Sequence, residues 1–172
     1  MKKTQLKTLC FILLSSLFIA GACSSDDDGT PDQPPFEEVV ISLEALNVEL
    51  EDMSFNVGNY NFTSFRALSF DDGFFDGVQI ANPIDLNNPS YIELNLSQVS
   101  GISTISVTLL NGTGDTSIAI LNDGMVVQEI DGVGGIDIGI GVTTATLDVS
   151  DNTFDTLMIS SLEASVGEII LQ

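Results

Sequence analysis

From Tyr91 onward apolar and polar residues take turns at period two, and a stretch with that period can lie as a half-buried strand but presents no single helical stripe. Ile92, Leu94 and Leu96 alternate with Glu93, Asn95 and Ser97, and Ile105, Val107 and Leu109 alternate with Ser106 and Thr108. The run Asn111-Gly112-Thr113-Gly114-Asp115 interrupts the pattern and residues 118–121 resume it. Asn122-Asp123-Gly124 then predicts a tight hairpin, because Asp and Gly tolerate the positive φ such a turn needs, with 125–130 as its return strand. Ile136, Ile138 and Ile140 alternate with Asp137 and Gly139, and Ala145, Leu147 and Val149 lead to a turn at Asp151-Asn152. Residues 156–161 and 166–171 read as two closing strands.

The first third is less regular. Val39, Leu43, Leu46 and Leu50 have helical spacing, while Val39, Ile41, Leu43 and Ala45 alternate. Strand is favoured across 38–50, since a lone helix would have to find a sheet face to cover. Tyr60, Phe62, Leu68 and Phe70 share one parity and predict a single strand with its aromatics inward. Eight or so short strands without a convincing helix imply an all-β domain, closed or two-layered, because each sheet must hide an apolar face. No internal repeat points to a propeller or solenoid.

Composition removes whole classes of chemistry. The 172 residues include no His and no Trp, and all three Lys (Lys2, Lys3, Lys7) and one of two Cys (Cys10) precede Cys23. Beyond residue 22 the chain holds all 25 acids and one base, Arg66, for a formal charge of −24. That excludes a Ser-His-Asp triad, a Cys-His pair, a Schiff-base lysine and a zinc cluster. It also argues against a nucleic-acid partner, since phosphate backbones are repelled over the whole surface. An apolar fraction of 44% nevertheless suffices to bury a core. A glycosidase needs only two carboxylates, but so small a domain lacks room for a deep cleft, and the expectation is no enzyme.

The N-terminus reads as an address. Lys2, Lys3 and Lys7 precede the apolar run 9–20, and Ala20-Gly21-Ala22-Cys23 follows. These are the three parts of a secretion signal. The last four residues resemble the bacterial lipobox, apart from Ala20 where that family prefers Leu. The resemblance implies cleavage before Cys23 and acylation of its thiol and new amine. Several acyl chains exceed what stable anchoring requires. Ser24, Ser25, Asp26, Asp27 and Asp28 closely resemble the export signal of surface lipoproteins in the Bacteroidota; the other reading is an acidic spacer. The organisation expected is a signal peptide over 1–22, a lipidated and Pro-rich linker over 23–35, and one domain over 36–172. The resemblance places it in the outer membrane, facing the exterior, with outer-membrane lipid as a partner through Cys23.

Tyr91-Ile-Glu-Leu-Asn-Leu, Thr144-Ala-Thr-Leu-Asp-Val, Phe154-Asp-Thr-Leu-Met-Ile and Gly167-Glu-Ile-Ile-Leu together resemble galactose-binding-like jelly rolls of secreted bacterial proteins. That resemblance implies an antiparallel β-sandwich whose members often bind sugars or calcium through rim loops, a likeness of fold that fixes no function. An extracellular glycan is the first candidate ligand. A surface protein, contacted in a structural or adhesion role through a sheet edge, is the alternative.

Two sets of residues could carry such binding. Asp71, Asp72 and Asp76, spaced by Gly73 and Gly77, could give calcium several of the six to eight oxygens it takes, completed by Asp151, Asn152 or Asp155. An acidic solvated turn is the competing reading, and the EF-hand register fails with Phe74 at its third position. For a sugar ring the available aromatics are Tyr60, Phe74, Phe75 and Tyr91, although core packing is the commoner fate of each.

Overall fold

Among the described residues the alternating stretches are extended, and the turn at Asp123-Gly124 falls where those residues permit it. The computed structural model describes residues 36–81, 89–111, 116–133 and 141–172. Twelve strands lie among them: β1 (Val39–Ser42), β2 (Ser54–Val57), β3 (Tyr60–Phe65), β4 (Ala67–Asp71), β5 (Asp76–Ala81), β6 (Ser90–Asn95), β7 (Thr104–Asn111), β8 (Ser117–Asn122), β9 (Met125–Ile130), β10 (Gly141–Asp148), β11 (Thr156–Ser161) and β12 (Glu163–Leu171). There is no helix among the described residues. The expectations for 1–35 and for a strand at Ile136–Ile140 lie outside them.

The strands form two antiparallel sheets. In the first the order is β10-β7-β12-β5-β4, with β1 also on β12; in the second it is β2-β3-β6-β11-β8-β9. β5 packs across onto β6 and β11, and β4 onto β6, so the sheets meet face to face. Val78, Ile80, Val107 and Leu109 of the first sheet share the core with Phe62, Leu94, Ile120 and Ile159 of the second, all nearly or wholly buried. Each such side chain contributes roughly 1.5–3 kcal/mol when fully buried. The result is the β-sandwich that the alternation implied, in which both inner faces hide the apolar parity.

Three local features complete it. Asp123 and Gly124 have φ of 50° and 75°, so the β8–β9 hairpin turns as its residues predict. The single strand expected over Tyr60–Phe70 is two strands in different sheets. Arg66, with φ 55°, breaks it. Phe62 and Ser64 point inward before the break, and Ala67 after it, so the inward parity shifts and Leu68 and Phe70 lie half-exposed. The third feature is a bulge in β12 between Val166 and Glu168. There β12 exchanges β5 for β1 as its neighbour on one side. Gly77 faces this bulge so closely that a Cβ on it would sit 2.3 Å from the Val166 carbonyl oxygen. The strand reading of 38–50 holds as far as Ser42; beyond it the chain turns at Ala45, whose φ is 53°.

Candidate functional site

Each sheet turns its polar parity outward, but recesses occur where long side chains rise beside short ones. On β3 the outward residues are Asn61, Thr63 and Phe65; on β6 they are Tyr91, Glu93 and Asn95; on β11, Thr156, Met158 and Ser160. Pairing ranks them across the second sheet. Phe65 stands opposite Tyr91 and Tyr91 opposite Ser160, while Thr63 stands opposite Glu93 and Glu93 opposite Met158. Thr156 stands opposite Asn95.

At one end the Phe65 and Tyr91 rings stack, with centroids 5.9 Å apart and planes 28° from parallel. The Arg66 guanidinium lies 5.8 Å from the Phe65 centroid, within cation–π range. In the middle Thr63 Oγ1 donates to Glu93 Oε2 at 3.0 Å. Asn61 Nδ2 donates to Asn56 Oδ1 at 3.0 Å, and Asn95 Oδ1 accepts from both the amide and the hydroxyl of Ser97. A recess of about 170 Å³ is lined by Asn61, Thr63, Glu93, Asn95 and Thr156. A second, of about 480 Å³, continues from Asn61 and Asn95 to Tyr60, Gln98 and Val99. Because both share Asn61 and Asn95, they make one groove along β3 and β6. Amides, hydroxyls and one carboxylate line it, and a two-ring platform stands at its end.

The expected rings divide. Tyr91 belongs to this platform and Tyr60 lines the wider recess, its ring also packed on the core. Phe74 is 76% exposed at the β4–β5 connection. Phe75 is buried and is no platform for a ligand: it lies against Gly167, where a Cβ would stand 2.8 Å from its Cζ.

Four of the acids offered for calcium, Asp71, Asp72, Asp76 and Asp155, accept backbone amides. Asp71 Oδ1 accepts from Gly73 N, and Asp72 Oδ1 accepts from the amides of Phe74 and Phe75. The Phe75 and then the Phe74 amide hold the Asp72 carboxyl below the usual carboxylate range. Asp76 Oδ2 accepts from Ala45 N at 3.0 Å. On the second sheet Asp155 accepts from Asp123 N and from the Thr156 hydroxyl, and those two bonds, the amide first, lower its pKa. Asn152 Nδ2 donates to Gln128 Oε1, and Asp151 is exposed at the same turn. Among the described residues no three acidic or Cys side chains gather to hold a metal ion. Asp71, Asp72 and Asp76 belong to a hairpin of the first sheet, while Asp151, Asn152 and Asp155 precede a strand of the second. The residues present therefore do not fit the shared calcium cage, which needs six to eight oxygens around one point.

Asn61, Thr63, Phe65, Glu93, Asn95 and Thr156 were not singled out in the sequence. Their one signal is that they occupy the outward parity of strands whose inward parity is Phe62, Ile92, Leu94 and Leu157.

No protein-family model and no curated protein matches the chain. Solved structures do resemble it. A family 29 carbohydrate-binding module from Piromyces equi matches with a TM-score of 0.50 and 11% identity, over 78% of this chain and 89% of that one. The K2 cleaved adhesin domain of Lys-gingipain matches with a TM-score of 0.50 and 15% identity, over 79% and 99%. At these identities the likeness is one of fold, and the fold is a jelly-roll β-sandwich.

Proposed function

We infer that this chain is a lipid-anchored protein of the bacterial cell surface whose β-sandwich binds carbohydrate without catalysis, along the groove of the second sheet. The groove carries the reading. Sugar hydroxyls both donate and accept, and Asn61, Asn95, Thr63 and Thr156 offer both capacities on one surface. Phe65 and Tyr91 supply a face against which a pyranose can lie. From Phe65 to Asn61 is four residues of strand, about 13 Å, so the surface suits a short run of sugars better than one ring. Glu93 is the single acid among the groove's lining residues, whereas glycoside hydrolysis uses a pair. The formal charge of −24 selects neutral glycans over acidic ones. A fold shared with a carbohydrate-binding module is consistent with this role.

Display would follow from the N-terminus: acylated Cys23 fixes the chain to outer-membrane lipid, the Ser24–Asp28 run directs it outward, and the Pro-rich linker holds the domain off the surface. Calcium is not required in this reading, since Asp71, Asp72, Asp76 and Asp155 accept backbone amides and no cluster of carboxylates gathers among the described residues. The test is a glycan array probed with the full chain, with and without calcium, beside Tyr91→Ala. Binding to neutral polysaccharide that calcium leaves unchanged and Tyr91→Ala weakens at least tenfold is expected; signal no higher than buffer in both conditions rejects the reading. Labelling with an alkynyl fatty acid, lost in Cys23→Ala, tests the anchor separately.

A further inference from the structure

A β-sheet ends in strands whose outer amides and carbonyls need a partner or a guard. This sandwich has two flanks, and they differ. On one flank β4 is covered: Ser69 N donates to Val48 O at 2.9 Å, and the Ser69 hydroxyl bridges Val48 N and Leu46 O at 2.6 Å each. Its companion there, β2, has only four residues, and a short edge is itself a guard. The other flank ends in β9 and β10, because β4 and β5 lie over β6 and so leave the opposite ends of both sheets together. Among the described residues β9 pairs only with β8, and β10 only with β7.

Neither strand contains Lys or Pro, the usual guards of an edge. Met125, Val126, Val127 and Val142, four of the eight large apolar side chains exposed among the described residues, stand on these two strands. β9 does carry one guard: its register slips at Val127, so the ladder it could offer is short. β10 has no such break. Its eight residues run in unbroken register from Gly141 opposite Asn111 to Asp148 opposite Thr104. Among the described residues it is therefore the longer open edge, and the β9 side chains are apolar surface at the same flank.

Charge decides what it accepts. Asp123, Glu129, Asp131 and Asp148 border the flank, and beyond residue 22 the one base, Arg66, lies at the end of β3 in the second sheet. Two copies of the chain would bring like charge together with no base at the contact. Repulsion thus does the guarding that Lys and Pro do elsewhere, and it guards only against other acidic strands. We propose that the β9–β10 flank receives an added β-strand from a different protein, a segment that alternates apolar residues with Lys or Arg and extends the first sheet along β10. Backbone pairing supplies the contact and charge selects the partner.

The test uses the full chain and three synthetic octapeptides: alternating Lys-Val, alternating Glu-Val, and one with the Lys-Val composition arranged in two blocks. The Lys-Val peptide should slow amide exchange in β10 and bind at least tenfold more tightly than either control, weakening as salt rises. Val142→Lys with Thr144→Lys should weaken it at least tenfold while binding of neutral glycan is unchanged; if that variant does not fold, the exchange footprint on the natural chain decides. Equal binding of the Glu-Val or block peptide, protection spread over β2 and β4, or no protection of β10 would each overturn the proposal. So would sedimentation showing a dimer of this chain with the same footprint.

Discussion

The outer faces of the two sheets are both polar and both indented, but the recess of the first, about 190 Å³ and lined by Phe70, Asp72, Gln79, Leu110 and Glu163 among others, lies toward β4 and β5. The strip between β7 and β10 contrasts with the groove of the second. Between β7 and β10 of the first, hydroxyls of facing strands bond to one another: Ser106 with Thr146 at 2.8 Å and Thr108 with Thr144 at 3.1 Å. There short side chains of equal length make a level strip. On the second, Phe65, Tyr91 and Glu93 rise beside Asn61, Asn95 and Thr156, and the unequal heights leave recesses. Outward polarity is thus a property of any half-buried strand, whereas a binding surface needs unequal side chains in register.

The strongest way to break the contrast is from beneath. Phe62 is fully buried under the groove and stacks on Phe55 with centroids 4.8 Å apart and planes 4° from parallel. Phe62→Ala should cost about 3–5 kcal/mol in urea unfolding and abolish glycan binding with it. Gly77→Ala strikes the first sheet instead, where the new methyl would meet the Val166 carbonyl. It should cost about 1–3 kcal/mol, as overpacking does, and leave glycan affinity within twofold at temperatures where the variant is folded. Loss of affinity in folded Gly77→Ala would mean that the grooved face is not independent of the other sheet.

A smaller effect sharpens the same comparison without touching the core. Glu93→Gln keeps the shape of the groove and removes its charge, and it should weaken neutral-glycan binding about tenfold, near 1.4 kcal/mol. Thr144→Val on the level β7–β10 strip should leave affinity unchanged by isothermal titration and shift stability by no more than about 1 kcal/mol, the scale of one hydroxyl pair. Equal losses from Glu93→Gln and Thr144→Val would remove the distinction between the faces.

The contrast between the faces also marks how far the sequence could be read. Period-two alternation identifies β6, β7 and β11 because it reports one strand facing one core, which is local information. Asp123-Gly124 is equally local, since the turn needs only what those residues allow. The switch at Arg66 was not legible: nothing in Phe65-Arg66-Ala67 announces a change of sheet, and the left-handed residue is imposed by packing on either side. Nor was the groove, because Thr63 meets Glu93 only through a register set by residues thirty positions apart. The acids misled for the opposite reason. Asp next to Gly is what a cation loop requires, and it is also what a turn requires when a carboxylate accepts its own backbone amides. Asp71 and Asp72 do the second.

Those carboxylates give the smallest effect and the finest comparison. Asp72 and Asp148 fasten turns of the first sheet and Asp155 a turn of the second, and in each the folded pKa lies below the usual carboxylate range. The causes are the Phe75 amide for Asp72, the Ser150 hydroxyl for Asp148 and the Asp123 amide for Asp155. A group with a depressed folded pKa contributes stability that is present above its unfolded value and is lost as pH falls through the folded one. Stability should therefore be level from about pH 5 upward as far as these groups decide it, and fall below about pH 4. Asp155→Asn keeps an acceptor for the Asp123 amide but cannot titrate. Its melting temperature should lie slightly below that of the natural chain at pH 7 and converge on it as the solution is acidified. A gap between the two that widened toward acid would mean that Asp155 is ionised at a cost in the folded state, and its place as the fastener of the β8–β9 turn would have to be given up.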